Sequence, residues 1–282
     1  METMNLYDSN EYIINLIKSN KPFFISRVGI GSETYSTYHY ETTGTIGRYE
    51  TLDNNAGIYY KNEADIKRYN TYYSNALKNS DALACWNDNV LKEQSYFIEK
   101  YKLPKLHYQV IEPFYQIEKN IIPFTHYLND KKILIISPFI DSFIEQMDKQ
   151  FKLYKNTNIF LPKQKFVYYK SLNTSAGNRI ENHANWMHTY LQMIKEIKEL
   201  DFDVALVSCG GYGLPICNYI KEHMNKSSIY VGGGLQLFFG VIGNRWLSDP
   251  DWRQRIFESP SEFMRPKEIQ ENSEKVENSC YY

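Results

Sequence analysis

The stretch DFDVALVSCGGYGLPICNYIKEHMNKSSIYVGGGLQLFFGVIGNRW, residues 201–246, decides the fold. It holds two consecutive strand–loop–helix units. Residues 204–207 are a short apolar run, Gly210, Gly211 and Gly213 make a tight turn, and residues 214–224 have helical spacing. The scheme then repeats with residues 229–231, the glycines Gly232, Gly233 and Gly234, and the apolar run 235–239. Glycine directly after a strand lets the backbone turn sharply and approach a ligand, while the next helix presents unpaired N–H groups and its positive end. Two such loops side by side at the carboxyl edge of a parallel sheet form an anion-ready crevice, where open α/β sheets bind nucleotides. The pattern points to a nucleotide or nucleotide-sugar enzyme.

Working outward, residues 131–137 (KKILIIS) are the clearest strand: two charges and then four aliphatic residues, the pattern of a parallel sheet's buried centre. Pro138 closes it, and residues 139–151 read as an amphipathic helix. A first helix runs to Ile17 with Asp8 or Ser9 as its cap. Residues 23–26 read as a first buried strand, followed by the loop Arg27-Val28-Gly29-Ile30-Gly31-Ser32-Glu33 and a helix near 34–40. Further strands are expected at 82–86, 107–111, 158–160 and 165–169, and further helices at 63–78, 90–100 and 181–200. Strands alternating with helices throughout predict one Rossmann-like α/β domain over residues 1–258, a mostly parallel sheet flanked by helices. A split near residue 125 is the alternative. Residues 259–282 read as a polar tail, mobile near its end.

The totals narrow the function. The 282 residues are 43% hydrophobic and 16% aromatic, enough for a sizeable core. A formal charge of −1 supplies no basic stripe for a nucleic-acid backbone, so DNA and RNA are not expected partners. The cysteines Cys85, Cys209, Cys217 and Cys280 lack metal-type pairing, which suggests reduced thiols in a cytoplasmic protein. The opening METMNLYDSNEYI has no signal-peptide pattern, and no run approaches the roughly 18 apolar residues that span a bilayer.

Five constellations can carry chemistry. Arg27–Glu33 can hold a diphosphate through Arg27 and the backbone at Gly29 and Gly31, with Glu33 as base or metal ligand; an ordinary strand–helix turn explains the same residues. Asn54-Asn55-Ala56-Gly57 offers amides that read a base or a sugar, although a plain turn is the simpler explanation. Ser137 and Asp141 stand at the tip of the central strand, where Asp141 alternatively caps a helix. The run 175–179 is followed by His183, a proton acceptor if it finds a partner and otherwise structural. The opening stretch adds Tyr212, whose ring can stack on a base, and the polar residues Gln236, Asn244 and Arg245. A dinucleotide fingerprint is missing, because Thr34 and Ile216 stand where a third glycine belongs. On these grounds Gly211→Val is expected to block the phosphate path and leave the fold intact.

These segments together resemble bacterial and viral glycosyltransferases of the GT-D structural type. The resemblance rests on Gly211-Tyr212-Gly213-Leu214-Pro215, on Gly232-Gly233-Gly234-Leu235-Gln236 and on Arg245-Trp246. More loosely it covers Arg27–Glu33, residues 54–57, residues 133–139 and Trp186. It implies a Rossmann-like fold that takes a nucleotide-diphosphate sugar, usually UDP-linked, and passes the sugar to a glycan or glycoconjugate acceptor. It also implies a divalent cation, Mn2+ or Mg2+, held by an Asp-x-Glu motif in the first loop. Here Ile30 stands in the aspartate's place and Ser32 in the glutamate's, with Glu33 one position later. That departure speaks against metal dependence and leaves Glu33 as ligand, base or orienter of Arg27.

Overall fold

A computed structural model of the chain describes residues 3–29, 31–47, 50–85 and 91–282. Its strands are β1 (Phe24–Val28), β2 (Ala82–Cys85), β3 (Lys105–Leu106), β4 (Lys132–Ser137), β5 (Lys165–Lys170), β6 (Val204–Val207) and β7 (Ser227–Tyr230). They form one seven-stranded sheet in the order β3-β2-β1-β7-β6-β4-β5. Every pairing is parallel. Alternation along β4 shows why the strands read as unbroken apolar runs. Ile133 and Ile135 enter the core on one face, and Leu134 and Ile136 enter the core on the other. With both faces covered, each aliphatic side chain contributes about 1.5–3 kcal/mol by leaving water.

The helices are α1 (Leu6–Lys18), α2 (Ser32–Thr43), α3 (Glu50–Asn54), α4 (Glu63–Asn79), α5 (Lys92–Tyr101) and α6 (Pro113–Glu118), then α7 (Ile140–Asp148), α8 (Trp186–Ile197), α9 (Gly213–Met224), α10 (Leu235–Phe238), α11 (Asn244–Leu247) and α12 (Pro250–Glu258). Ile13 and Ile17 of α1, Phe114 of α6, Phe143 of α7 and Trp252 of α12 cover one face. Tyr69 of α4, Phe97 of α5, Trp186 of α8 and Ile216 of α9 cover the other. From β1 the chain steps outward through β2 to β3, crosses to β4 and β5, and returns through β6 to β7 beside β1. The helix after β1, α2, packs on α4 and α5 of one face, while Leu235 and Leu237 of α10 after β7 join the core of the other. Loops of two adjacent strands therefore diverge at the switch point where such sheets bind ligands.

Several expectations need correction. Asn5, not Asp8 or Ser9, caps α1, its side chain accepting from the Asp8 N–H at 2.8 Å. Residues 158–160 form no strand, and 107–111 turn after the two-residue β3. The helix expected over 181–200 begins only at Trp186, because Asn182 is left-handed (φ 66) and the Asn185 side chain caps the Met187 N–H. Strands from both sides of residue 125 share the one sheet. Residues 86–90, the expected end of β2 and start of α5, lie outside the described residues, as does Ile30.

The polar tail folds back onto the body. Met264 bridges to Val241, residues Ser273–Lys275 form a 3-10 turn, and Val276 and Cys280 are buried. All four cysteines are free and buried. Among the described residues no helix is long and apolar enough to cross a membrane.

Candidate active site

A cavity of about 690 Å³ opens at the carboxyl ends of β1, β4, β6 and β7. Its lining brings together Arg27, Gly29, Gly31 and Glu33 from the first loop, Asn55 after α3, Gly210 and Tyr212 after β6, and Gly233, Gln236 and Arg245 beyond β7. Segments far apart in the chain meet here because each follows a parallel strand, and parallel strands end on the same edge.

Arg27 is almost fully buried at the end of β1. Its Nη1 donates to the Val231 carbonyl and its Nη2 to Glu112 Oε1 at 3.2 Å, so the guanidinium spans from β1 to the loop after β7. Burial pushes the Glu112 carboxyl up, and the Arg27 charge pulls it down only in part. Glu112 is thus the fixed counter-charge of Arg27, a role the sequence reading missed. The signal was a lone carboxylate in the apolar run 110–114 (VIEPF).

Glu33 lies in the first turn of α2. Burial raises its pKa above the ordinary value; its own backbone N–H and the Ser32 hydroxyl at 3.1 Å act against the rise, and nearby Glu277 adds to it. A carboxylate raised in this way holds a proton more readily than a free one and is the better proton acceptor. Beneath it Thr34 Oγ1 and the Tyr73 hydroxyl are 2.9 Å apart, and both line the cavity. The N-termini of α2 and α9 begin at this edge, so their positive ends favour an anion here. Arg245, from α11, pairs with Glu277 Oε2 at 2.5 Å. Burial pulls the Arg245 pKa down, but Tyr281, Cys280 and Glu277 outweigh it and hold the guanidinium charged.

Other expected site residues stand elsewhere. Asp141 is an exposed first-turn residue of α7 that pairs with Lys170 outside the cavity. His183 sits in the loop before α8 with Nδ1 3.0 Å from Thr189 Oγ1, and it does not line the cavity. Ser137 is fully buried one residue below the lining, its Oγ accepting from the Phe139 N–H at 3.2 Å, while Pro138 and Phe139 form the wall. Gly57 also lies behind the wall. It is left-handed (φ 73), and a Cβ there would meet the Ser175 backbone nitrogen at 2.9 Å. Gly211 and Gly213 point inward, where a Cβ would stand 2.5 Å from Ile58 Cγ1 and 2.1 Å from Tyr230 Cε2, respectively.

Tyr212 does reach the cavity, but its hydroxyl is committed to the Gly57 carbonyl (3.0 Å) and Thr174 Oγ1 (2.9 Å), so it braces the wall. Cys209 beside it is buried, which holds the thiol protonated. Sequence reasoning also missed Ser171–Ser175 as a neutral wall, apart from Ser175 itself, and the tail residues Val276, Glu277, Tyr281 and Tyr282. Two buried lining atoms, Ser171 Oγ and Gln236 Oε1, have no hydrogen-bond partner among the described residues. Buried polar atoms of that kind are normally satisfied by something.

The donor set does not make the divalent-metal site the resemblance implies. Among the described residues no group of three or more His, Cys, Asp or Glu side chains could hold a metal ion, and the carboxylates that line the cavity are Glu33 and Glu277. A family model described as GT-D-like, a GT-D fold-like domain, matches residues 11–238. Neither the curated proteins nor the solved structures contain a match to the chain.

Proposed function

The chain belongs to the GT-D-like family, and from that premise we propose that it is a glycosyltransferase. It takes a nucleotide-diphosphate sugar, UDP-linked, and transfers the sugar to a glycan or glycoconjugate acceptor. The observation that carries this reading is the meeting of Arg27, Arg245, two helix N-termini and a pKa-raised Glu33 in one cavity at the sheet's switch point. Arg27 and Arg245 hold the diphosphate and take up the charge that develops on it as the bond to the anomeric carbon breaks. Glu33 accepts the proton of the attacking acceptor hydroxyl. The neutral wall of Ser171, Asn173 and Ser175 offers hydroxyls and an amide to sugar oxygens. No step is assigned to a metal ion.

A second reading, a nucleotide-sugar-binding protein without transfer activity, is favoured by the altered first-loop motif. One assay separates the two. The transferase releases free nucleoside diphosphate in proportion to acceptor when both donor and acceptor are present. Donor binding with no release against a panel of glycan acceptors contradicts transfer and supports the second reading.

A further inference from the structure

The loop after β7 holds three glycines, and what lies against the middle one is the ring of Tyr281. A Cβ at Gly233 would stand 2.4 Å from Tyr281 Cε1, and one at Gly243 would stand 2.3 Å from the Tyr281 backbone carbon. The same ring lies 4.7 Å from the Arg245 guanidinium, whose Nη2 holds Glu277. An aromatic ring and an anion on one arginine are the chemistry a nucleoside diphosphate would bring to this place. The tail is tied to the loops expected to bind donor. Gln236 Nε2 donates to the Tyr281 carbonyl (3.0 Å), the Arg245 N–H to the Cys280 carbonyl (3.0 Å) and the Asn244 N–H to the Tyr282 carbonyl (2.9 Å). From α3, Asn54 Nδ2 donates to the Lys275 carbonyl at 2.7 Å.

Charge and backbone both mark this segment as displaceable. Arg27 faces Glu112 and Arg245 faces Glu277, so with the tail in place each arginine is already matched by a carboxylate. A diphosphate entering this arrangement meets like charge from Glu277 and from Glu33. Glu277, Asn278 and Ser279 are consecutive left-handed residues (φ 46, 55 and 58). That conformation is unfavourable for Glu277 and Ser279, though asparagine tolerates it, so contacts with the cavity loops must hold the segment in place.

We propose that residues 270–282 form a displaceable strap over the donor subsite, in which Glu277 occupies the diphosphate's place on Arg245 and Tyr281 covers the glycine loop. This rests on the reading of the cavity as a nucleotide-diphosphate site. Donor and strap compete, and the strap must swing away before the cavity accepts the diphosphate.

The test uses the full chain, with inorganic pyrophosphate and the diphosphates UDP, GDP, CDP and dTDP as probes. Glu277→Gln should tighten calorimetric binding of pyrophosphate and of the matching nucleotide by about 3- to 10-fold, the size of one lost charge pair and its repulsion. In the wild type, the same probes should speed tryptic cleavage after the exposed Lys275, because the released strap leaves its folded turn. Nucleotide binding that Glu277→Gln leaves unchanged or weakens, or nucleotide protection of Lys275, overturns the strap while the donor reading stands. Binding of no probe by either protein sinks the donor reading and the strap with it.

Discussion

The two glycine loops that look alike in sequence follow adjacent strands into one cavity and do different work. After β6, Gly211 and Gly213 turn into the core against Ile58, Tyr69 and Tyr230, and Gly210 and Tyr212 reach the cavity. After β7, Gly232 and Gly233 both line the cavity, and Gly233 is closed by a ring from the tail. The β6 wall is neutral, with Ser208, Cys209 and Tyr212. The β1–β7 wall carries Arg27, Glu33 and Arg245. A glycine run therefore marks close approach without saying what approaches. In one wall it is the protein's own core, and in the other it is a surface that can be uncovered.

The largest effect should come from the packed wall. Gly211→Val drives new carbons into Ile58 and Tyr69, and overpacking of this kind costs about 1–3 kcal/mol or more. That corresponds to about 2–4 °C in Tm per kcal/mol for a chain of this size. Gly233→Ala overlaps the Tyr281 ring at 2.4 Å, and because the strap can shift it should lower Tm less than Gly211→Val does. Equal losses of Tm in the two variants would erase the distinction between the walls. Gly211→Val therefore strains the fold itself, contrary to what the glycine pattern alone predicts.

On the charged wall the effects should fall on chemistry rather than on folding. Glu33→Gln should lower turnover by about 100-fold if Glu33 is the base. Since burial raises Glu33, the acid limb of kcat/KM should lie above the ordinary carboxylate range, and activity should fall as pH drops through it. A wild-type rate in the variant removes Glu33 from the mechanism.

A smaller effect follows from linkage. Because its folded pKa is raised, Glu33 stabilises the fold fully only below the unfolded value, and stability falls as pH rises through the folded value. The Gln variant should therefore melt higher than wild type at neutral pH and lose that advantage in acid. A lower Tm at neutral pH, measured by calorimetry, would show that the charged form of Glu33 is instead favoured by its surroundings.

Much of this was legible in the chain. The run 131–137 and the repeated strand–glycine–helix units placed the sheet and its carboxyl edge, because a buried parallel strand must be apolar on both faces. That loops after parallel strands share an edge is also why Arg27, Glu33 and Gly233 meet in one cavity. The direction of each missing Cβ was not legible. Ile58 and Tyr69, which make Gly211 a packing residue, come from a segment far away in sequence. His183 was displaced by Asn185, a helix cap strong enough to start α8 three residues after it. The tail's polar composition suggested mobility, and only its closing Tyr281-Tyr282 pair hinted at burial against the cavity.

Thermal unfolding of the full chain with UDP, GDP, CDP, dTDP or NAD, each with and without manganese, tests the central claim most directly. One nucleoside diphosphate should raise Tm, by an amount near 2.7 kcal/mol of stability at 100 times its Kd. Arg245→Gln should abolish that rise, and manganese should add little to it. No rise with any nucleoside diphosphate, or a rise with NAD alone, would contradict the assignment of this cavity to a nucleotide-diphosphate sugar.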